Sequence, residues 1–164
     1  MRECTNMNIK IRAAVEKDYP AIIATLKEFA VFQKNSPEIV TNTAELMKQE
    51  QQYFTCFVAE DENGSLAGLA TCCFAYYSWT GKSLYLDDLY VKPQYRKHGV
   101  GKRLLDKIFE FAKAQNCKKI HWMVSNWNTN AIDFYIRCGA SFYKEEYVCY
   151  VDEAGIKNYI NSIQ

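Results

Sequence analysis

The sequence predicts one domain of the mixed α+β class, and three observations carry that prediction. Alternating apolar and polar residues mark strands over 53–60, 66–77 and 83–91, separated only by turn-forming stretches, so three antiparallel strands follow one another. Helical spacing then takes over, because Val100, Leu104, Ile108 and Ala112 recur every four residues, as on one face of a helix. Finally, 164 residues suit a single core that buries roughly 70% of the unfolded chain's surface without disulfide staples.

In chain order, residues 9–13 alternate as a first strand, and Glu16-Lys17-Asp18 opens a helix with the apolar stripe Tyr19, Ile22, Ile23, Leu26, Phe29 and Ala30. Asn35-Ser36-Pro37 breaks that helix, and Thr41 or Thr43 caps a second one reaching about Gln51. The loop between them, 32–40, is a candidate for contacting a substrate. Residues 61–65 make the first hairpin turn and 79–82 the second. After the helix that begins near Val100, residues 116–119 turn into a short strand over 120–124. Asn128 caps a further helix that stops near Gly139. Two more strands are expected over 140–145 and 147–151, then a weak helix ending near Ile160. There is no internal repeat, low-complexity tract or linker.

The junction between the strand over 83–91 and its helix is the most informative stretch. Tyr95-Arg96-Lys97-His98-Gly99-Val100-Gly101-Lys102-Arg103 joins a strand to a helix through two glycines, which allow backbone angles and close approaches that side chains block. The first helical N–H groups have no partner within the helix, and the dipole and the cations of Arg96, Lys97, Lys102 and Arg103 favour an anion there. A phosphate or pyrophosphate suits that end. The bland alternative is a helix entered through glycines with its cations in water. Two nucleotide loops are excluded: Gly101-Lys102 is followed by Arg103 with no Gly at 96, and the residue three after Gly101 is Leu104.

Composition excludes other classes. Twenty basic against nineteen acidic residues give a net charge of +1, so nothing global points to nucleic acid or an anionic membrane. No signal-like or membrane-spanning apolar run is present in the sequence. The seven cysteines, Cys4, Cys56, Cys72, Cys73, Cys117, Cys138 and Cys149, contain no C-x-x-C pair, and only His98 and His121 could join them. Neither a metal site nor a disulfide framework is expected, and the thiols fit a reducing cytoplasm.

Leu86-x-x-Leu89-x-Val91-x-Pro93-x-x-Arg96-x-x-Gly99-x-Gly101-x-x-Leu104-Leu105 resembles the acetyl-coenzyme A signature of the GNAT superfamily of N-acetyltransferases, whose R-x-x-G-x-G loop holds the coenzyme pyrophosphate. Asn128-x-x-Ala131-Ile132-x-Phe134-Tyr135-x-x-x-Gly139-Ala140 looks like the family segment whose helix flanks the coenzyme arm, with its Tyr facing the thiol. Within the superfamily, residues 84–91 together with Trp127-Asn128 and Phe134-Tyr135 most resemble the spermidine/spermine (diamine) acetyltransferases and their thialysine-acetylating relatives. The resemblance implies a mixed, mostly antiparallel sheet flanked by helices and splayed at the coenzyme site. It also implies acetyl-CoA as co-substrate without a metal, a small-molecule amine as acceptor (diamine, polyamine or lysine-like) and a homodimer. Two alternatives stand beside it, a protein N-terminal or lysine acetyltransferase and a non-catalytic acyl-CoA-binding module.

The residues carried over for coenzyme are Leu89, Tyr90 and Val91, whose strand backbone would pair with the pantetheine arm. Arg96, Lys97, His98, Gly99, Val100, Gly101 and Lys102 would surround the pyrophosphate, and Asn128 would follow on the next helix. Tyr135 lies about two turns after Asn128 and so shares its helix face. Its phenol stays protonated at neutral pH and can supply a proton to a departing thiolate. Asp87-Asp88 are the nearest carboxylates for removing the amine's proton, and strand alternation lets only one of them face the cleft; Asp87 is the choice. Phe32, Gln33, Asp87 and Glu146 are the acceptor-contact candidates. The resembling enzymes carry Glu where Asp87 stands, and Tyr-Glu or Phe-Glu where Phe32-Gln33 stands. With a carboxylate lost from the pocket, spermidine is not expected to be the best acceptor.

Overall fold

The computed structural model describes residues 8–143, 145 and 148–163. The chain packs as two compact units that adjoin in sequence between Met123 and Val124.

The first unit holds a five-stranded sheet. β1 (Lys10–Ala13), β2 (Thr55–Glu60), β3 (Leu66–Tyr77) and β4 (Gly81–Val91) pair antiparallel in chain order, and β5 (Ile120–His121) joins β4 in parallel. The β2–β3 turn forms where turn residues stand: Asp61 Oδ1 accepts from the N–H groups of Asn63 and Ser65 at 3.0 and 2.8 Å, and Gly64 takes φ +80°. Side chains alternate across the sheet, and a helix covers each face. α1 (Tyr19–Phe32) buries Tyr19 and Ile22 with Cys56, Val58, Leu66 and Leu69, joined by Met47 of α2 (Ala44–Gln49). α3 (Val100–Ala114) buries Val100, Leu104, Leu105, Ile108 and Ala112, the stripe its spacing predicts. Its Phe111 ring packs 5.5 Å from Phe57 and 5.8 Å from Phe74. The mixed, mostly antiparallel sheet flanked by helices is the predicted fold class.

Two details of β4 position the site. Cys72 pairs with Leu86 but Thr71 with Asp88, so Asp87 is an extra residue, a β-bulge. β5 is matched only to Leu84 and Tyr85, so among the described residues β4 from Leu86 to Val91 has a strand partner on the β3 side alone. The strand expected over 120–124 is thus shorter, ending at His121.

The second unit contains α4 (Thr129–Arg137) and α5 (Glu153–Ser162). Asn128 and Asp152 cap them, accepting from Ala131 N–H at 3.2 Å and Gly155 N–H at 2.8 Å. α4 ends as its glycine predicts: Gly139 takes φ +88° and Ala140 N–H returns to Tyr135 O at 3.0 Å. The strands expected over 140–145 and 147–151 are not formed by the described residues of those stretches, and α5 extends beyond Ile160. Tyr- and Val-rich sequence becomes strand only when a neighbour pairs it and covers a face. Here Phe142, Tyr143, Val148, Tyr150 and Val151 are all exposed.

Candidate active site

The bulge gathers two carboxylates. Thr71 Oγ1 donates to Asp88 Oδ2 at 2.7 Å and accepts from Asp88 N–H at 3.1 Å, fixing Asp88 on the face where Thr71 points. Burial, and then the charge of Asp87, push the Asp88 carboxyl up to about 6, against the opposing Thr71 hydrogen bond. Asp87 also lies above the ordinary carboxylate value through partial burial, although its side chain keeps access to solvent. Its charge reaches Tyr85 and Cys73, both of which burial already raises. Strand alternation would part the two carboxylates, but the extra residue breaks that alternation between them.

The bulge also sets which backbone groups of β4 point to its open side. Leu84 N–H donates to Lys119 O at 2.9 Å, toward β5, and alternation extends that direction to Leu86. Beyond the bulge the phase shifts by one, so Leu89 and Val91 point outward. Tyr90 is turned to β3: a Cβ on Gly68, which pairs with Val91, would come within 2.5 Å of the Tyr90 carbonyl oxygen, a contact only glycine avoids.

The glycine loop begins with a 3-10 turn, Pro93–Tyr95, and passes through Lys97 (φ +66°) and Gly99 (φ +75°) into α3. Gly99 offers no capping side chain, so Val100 and Gly101 open α3 with N–H groups that have no partner within the helix. A Cβ at Gly101 would meet only Val91 Cγ2, at an ordinary 3.6 Å. Lys97 and His98 are exposed, and Lys102 pairs with Asp106 one turn on. The two arginines face elsewhere. Arg103 donates to Ile9 O at 2.5 Å, and Arg96 Nε donates to Val91 O at 2.8 Å.

Arg96 also stacks. Its guanidinium carbon lies 4.6 Å from the Phe32 ring centroid and 5.4 Å from that of Tyr90. Phe29 stands 5.1 Å from Tyr90, so the end of α1 closes over the end of β4. Gln33 caps α1, its N–H donating to Phe29 O at 2.9 Å.

In the second unit, Asn128 spends its side chain on capping α4. Tyr135 on that helix is 7% exposed, and burial pushes its phenol up to about 12. It is therefore protonated throughout the neutral range. Glu146 lies outside the described residues. Among the described residues no three of His, Cys, Asp and Glu gather as a metal site, and no helix is long and apolar enough to cross a membrane. A cavity of about 730 Å³ lies away from these groups, lined by Ile9, Lys10, Glu60, Asp61, Arg103 and Glu110.

Sequence reasoning weighed Asp88 but preferred Asp87; the Thr71 hydrogen bond and the bulge bring Asp88 forward, and neither is visible in one strand's sequence.

The chain matches the model of the acetyltransferase (GNAT) family over residues 18–140, and it belongs to that family. Among its relatives are the thialysine N-epsilon-acetyltransferases of Sus scrofa, 34% identical over 143 residues (81% of this chain, 84% of the relative), and Mus musculus, 35% identical over 141 residues (80% and 83%). The spermidine/spermine N(1)-acetyltransferase-like protein 1 of Homo sapiens is 32% identical over 149 residues, covering 85% of this chain and 21% of that protein. Solved structures share the fold. An aminoglycoside acetyltransferase from an uncultured soil metagenomic sample superposes with TM-score 0.75 at 22% identity, covering 92% of this chain and 99% of that one. An acetyltransferase from Clostridium acetobutylicum with acetyl-CoA gives TM-score 0.73 at 20% identity, covering 87% and 96%.

Proposed function

We propose that the chain moves the acetyl group of acetyl-CoA to a primary amine of a small molecule, a diamine, a polyamine or a lysine-like compound. The observation that carries the reading is the Asp87–Asp88 pair at the bulge, beside the outward-facing backbone of Leu89 and Val91. A carboxylate pair there attracts an ammonium and can deprotonate it. The relatives that act on thialysine support a small amine as acceptor, and the family match, which runs across both units, supports one acetyltransferase domain over 1–164.

The coenzyme supplies the thioester. Its pyrophosphate fits the N–H groups of Val100 and Gly101 at the start of α3, with Lys97 and Lys102 for charge and His98 beside them. The pantetheine arm would run along Leu89 and Val91 toward the bulge. Asp87, open to solvent, meets the incoming ammonium, and Asp88 accepts its proton directly or through a water. A carboxyl that titrates near 6 is mostly ionised at neutral pH yet basic enough for this task. The amine nitrogen would then bond to the acetyl carbon as the carbon–sulfur bond breaks, and the thiolate would take a proton from a general acid, the role that the resemblance gives to the protonated Tyr135 phenol. No covalent enzyme intermediate is needed. Phe32 and Gln33 at the end of α1 would bound the acceptor. We place the reaction in the cytoplasm and in a homodimer, which the resemblance implies and sedimentation would test.

The test is thiol release from acetyl-CoA across polyamines, lysine analogues, amino acids and short peptides. Turnover is expected with diamines or lysine-like amines, with spermidine below the best of them in kcat/KM. Preference for peptides would overturn the small-amine assignment, and spermidine outperforming every other amine would overturn the reading of the pocket at Phe32-Gln33 and Asp87.

A further inference from the structure

Arg96 belongs to the glycine loop by sequence but to the α1–β4 junction by contact. Its Nε bonds Val91 O at 2.8 Å while its guanidinium plane covers Phe32 and Tyr90. These are the contacts that distinguish Arg from Lys: a directed N–H on a rigid planar group, and a weakly hydrated face that stacks on aromatic rings. The charge is thereby turned toward the aromatic junction.

Both structures that Arg96 touches need a tether. On one side the loop leaves Arg96 directly into the left-handed residue Lys97 and then Gly99, so Arg96 is tied through the backbone to the segment that enters α3. On the other side Phe32 is the last residue of α1, followed by the cap Gln33 and a left-handed Lys34 at φ +63°. A helix end frays unless packing holds it. Phe32 is held by Phe29 at 6.3 Å, Tyr90 at 6.0 Å and Arg96. Tyr90 and Asp88 are two apart on β4 and share a face beyond the bulge, so this aromatic end of α1 forms the wall beside the carboxylates.

We infer that Arg96 is a positioning residue that couples the coenzyme loop to the acceptor wall, so that filling the loop orders the end of α1 around the amine. The inference rests on the acetyltransferase reading and assigns Arg96 a task other than holding phosphate. The coupling runs through contiguous contacts: loop backbone to the Arg96 guanidinium, then to Phe32 and Tyr90, then to the strand that carries Asp88.

The test uses the whole chain with Arg96→Lys, Phe32→Leu and the double variant. Arg96→Lys keeps the charge and removes the plane and the Nε hydrogen bond. Coenzyme affinity by calorimetry is expected to stay within about twofold, while the amine KM rises about fivefold or more and kcat changes less. In the double variant the rise in amine KM should fall short of the two single effects combined, as for residues that share a contact. Amide hydrogen exchange supplies a readout that general destabilisation would not mimic. Coenzyme should slow exchange over both 97–103 and 29–35 in the wild type, but over 97–103 only in Arg96→Lys. Loss of coenzyme affinity equal to the rise in amine KM would make Arg96 a phosphate ligand and overturn the inference; so would a wild-type segment 29–35 indifferent to coenzyme. Calorimetry and exchange need no acceptor. A chain that acetylates no amine would therefore sink the acceptor reading while the exchange pattern still decides the role of Arg96.

Discussion

At the β1 edge of the sheet, Asp18 and Glu60 share Arg12: its guanidinium reaches Asp18 at 2.6 and 2.9 Å and Glu60 at 2.6 Å. Near the other edge, Asp87 and Asp88 stand together, and the hydrogen bond that fixes Asp88 comes from a neutral hydroxyl. The titrations diverge accordingly. Arg12 holds the Asp18 and Glu60 carboxyls below their ordinary values, whereas burial and mutual repulsion lift Asp88 to about 6. The first arrangement ties β1 and the start of α1 to β2, and the second leaves basicity unspent where a substrate can use it. Carboxylate pairs thus serve opposite ends in one sheet according to whether a cation has been built in with them.

The largest effect is expected from Asp88→Asn. Losing the proton acceptor should lower kcat by on the order of 10²- to 10⁴-fold and abolish the limb on which activity rises with pH through about 6. Asp87→Asn should act more on the amine KM. If the two variants are interchangeable in steady-state kinetics and pH profile, the bulge does not divide labour between them. Asp88 also carries a stability signature. A folded pKa raised above the ordinary value gives a contribution that is full below pH 4 and lost as pH rises through about 6. Asp88→Asn should therefore be more stable than wild type at pH 8, by on the order of 1–3 kcal/mol in urea titrations, although it is slower.

Next comes Tyr135→Phe, which keeps the ring and removes the hydroxyl. A fall in kcat of about 10²-fold is expected at saturating coenzyme and amine, at the low end of the general-acid range because a thiolate leaves readily. Single-turnover rates equal to wild type across the pH profile would remove Tyr135 from the mechanism. Gly101→Val should weaken coenzyme binding at least about tenfold, or about 1.4 kcal/mol. Calorimetry on folded protein that finds unchanged affinity would refute the pyrophosphate site.

The smallest change tests the other carboxylate pair. Arg12→Ala should destabilise by about 1–3 kcal/mol at neutral pH. Asp18 has a lowered folded pKa, so its contribution is present above the ordinary carboxylate value and lost as pH falls through the lowered one. The gap between Arg12→Ala and wild type should close in strong acid. A gap that stays constant with pH would mean that the loss is one of packing rather than of charge.

Much of this was legible in the sequence because it is local. The α3 stripe, the glycine entry to that helix, the Asn128 cap and the Gly139 stop each depend on residues within a turn or two of one another, and each forms as expected. The bulge is of another kind, since a register mismatch belongs to two strands at once and nothing in residues 84–91 alone marks Asp87 as surplus. The titration of Asp88 follows from enclosure by the fold, and the stacking of Arg96 from Phe32, far away along the chain. The described residues of 140–145 and 147–151 form no strand for the converse reason: local propensity is present, but strand formation also requires a partner.

Gly101 has a practical consequence. The protein itself leaves room for a methyl group there, with Val91 Cγ2 at 3.6 Å as the one neighbour, and the position lies in the first turn of α3. Alanine is worth up to about 1 kcal/mol over glycine within a helix. A thermostability selection run on the empty protein would therefore favour alanine there, blind to any requirement imposed by bound coenzyme. On the coenzyme reading, such a hardened variant would survive heating better and hold its co-substrate worse, so libraries built for robustness should keep residue 101 fixed or be screened with acetyl-CoA present.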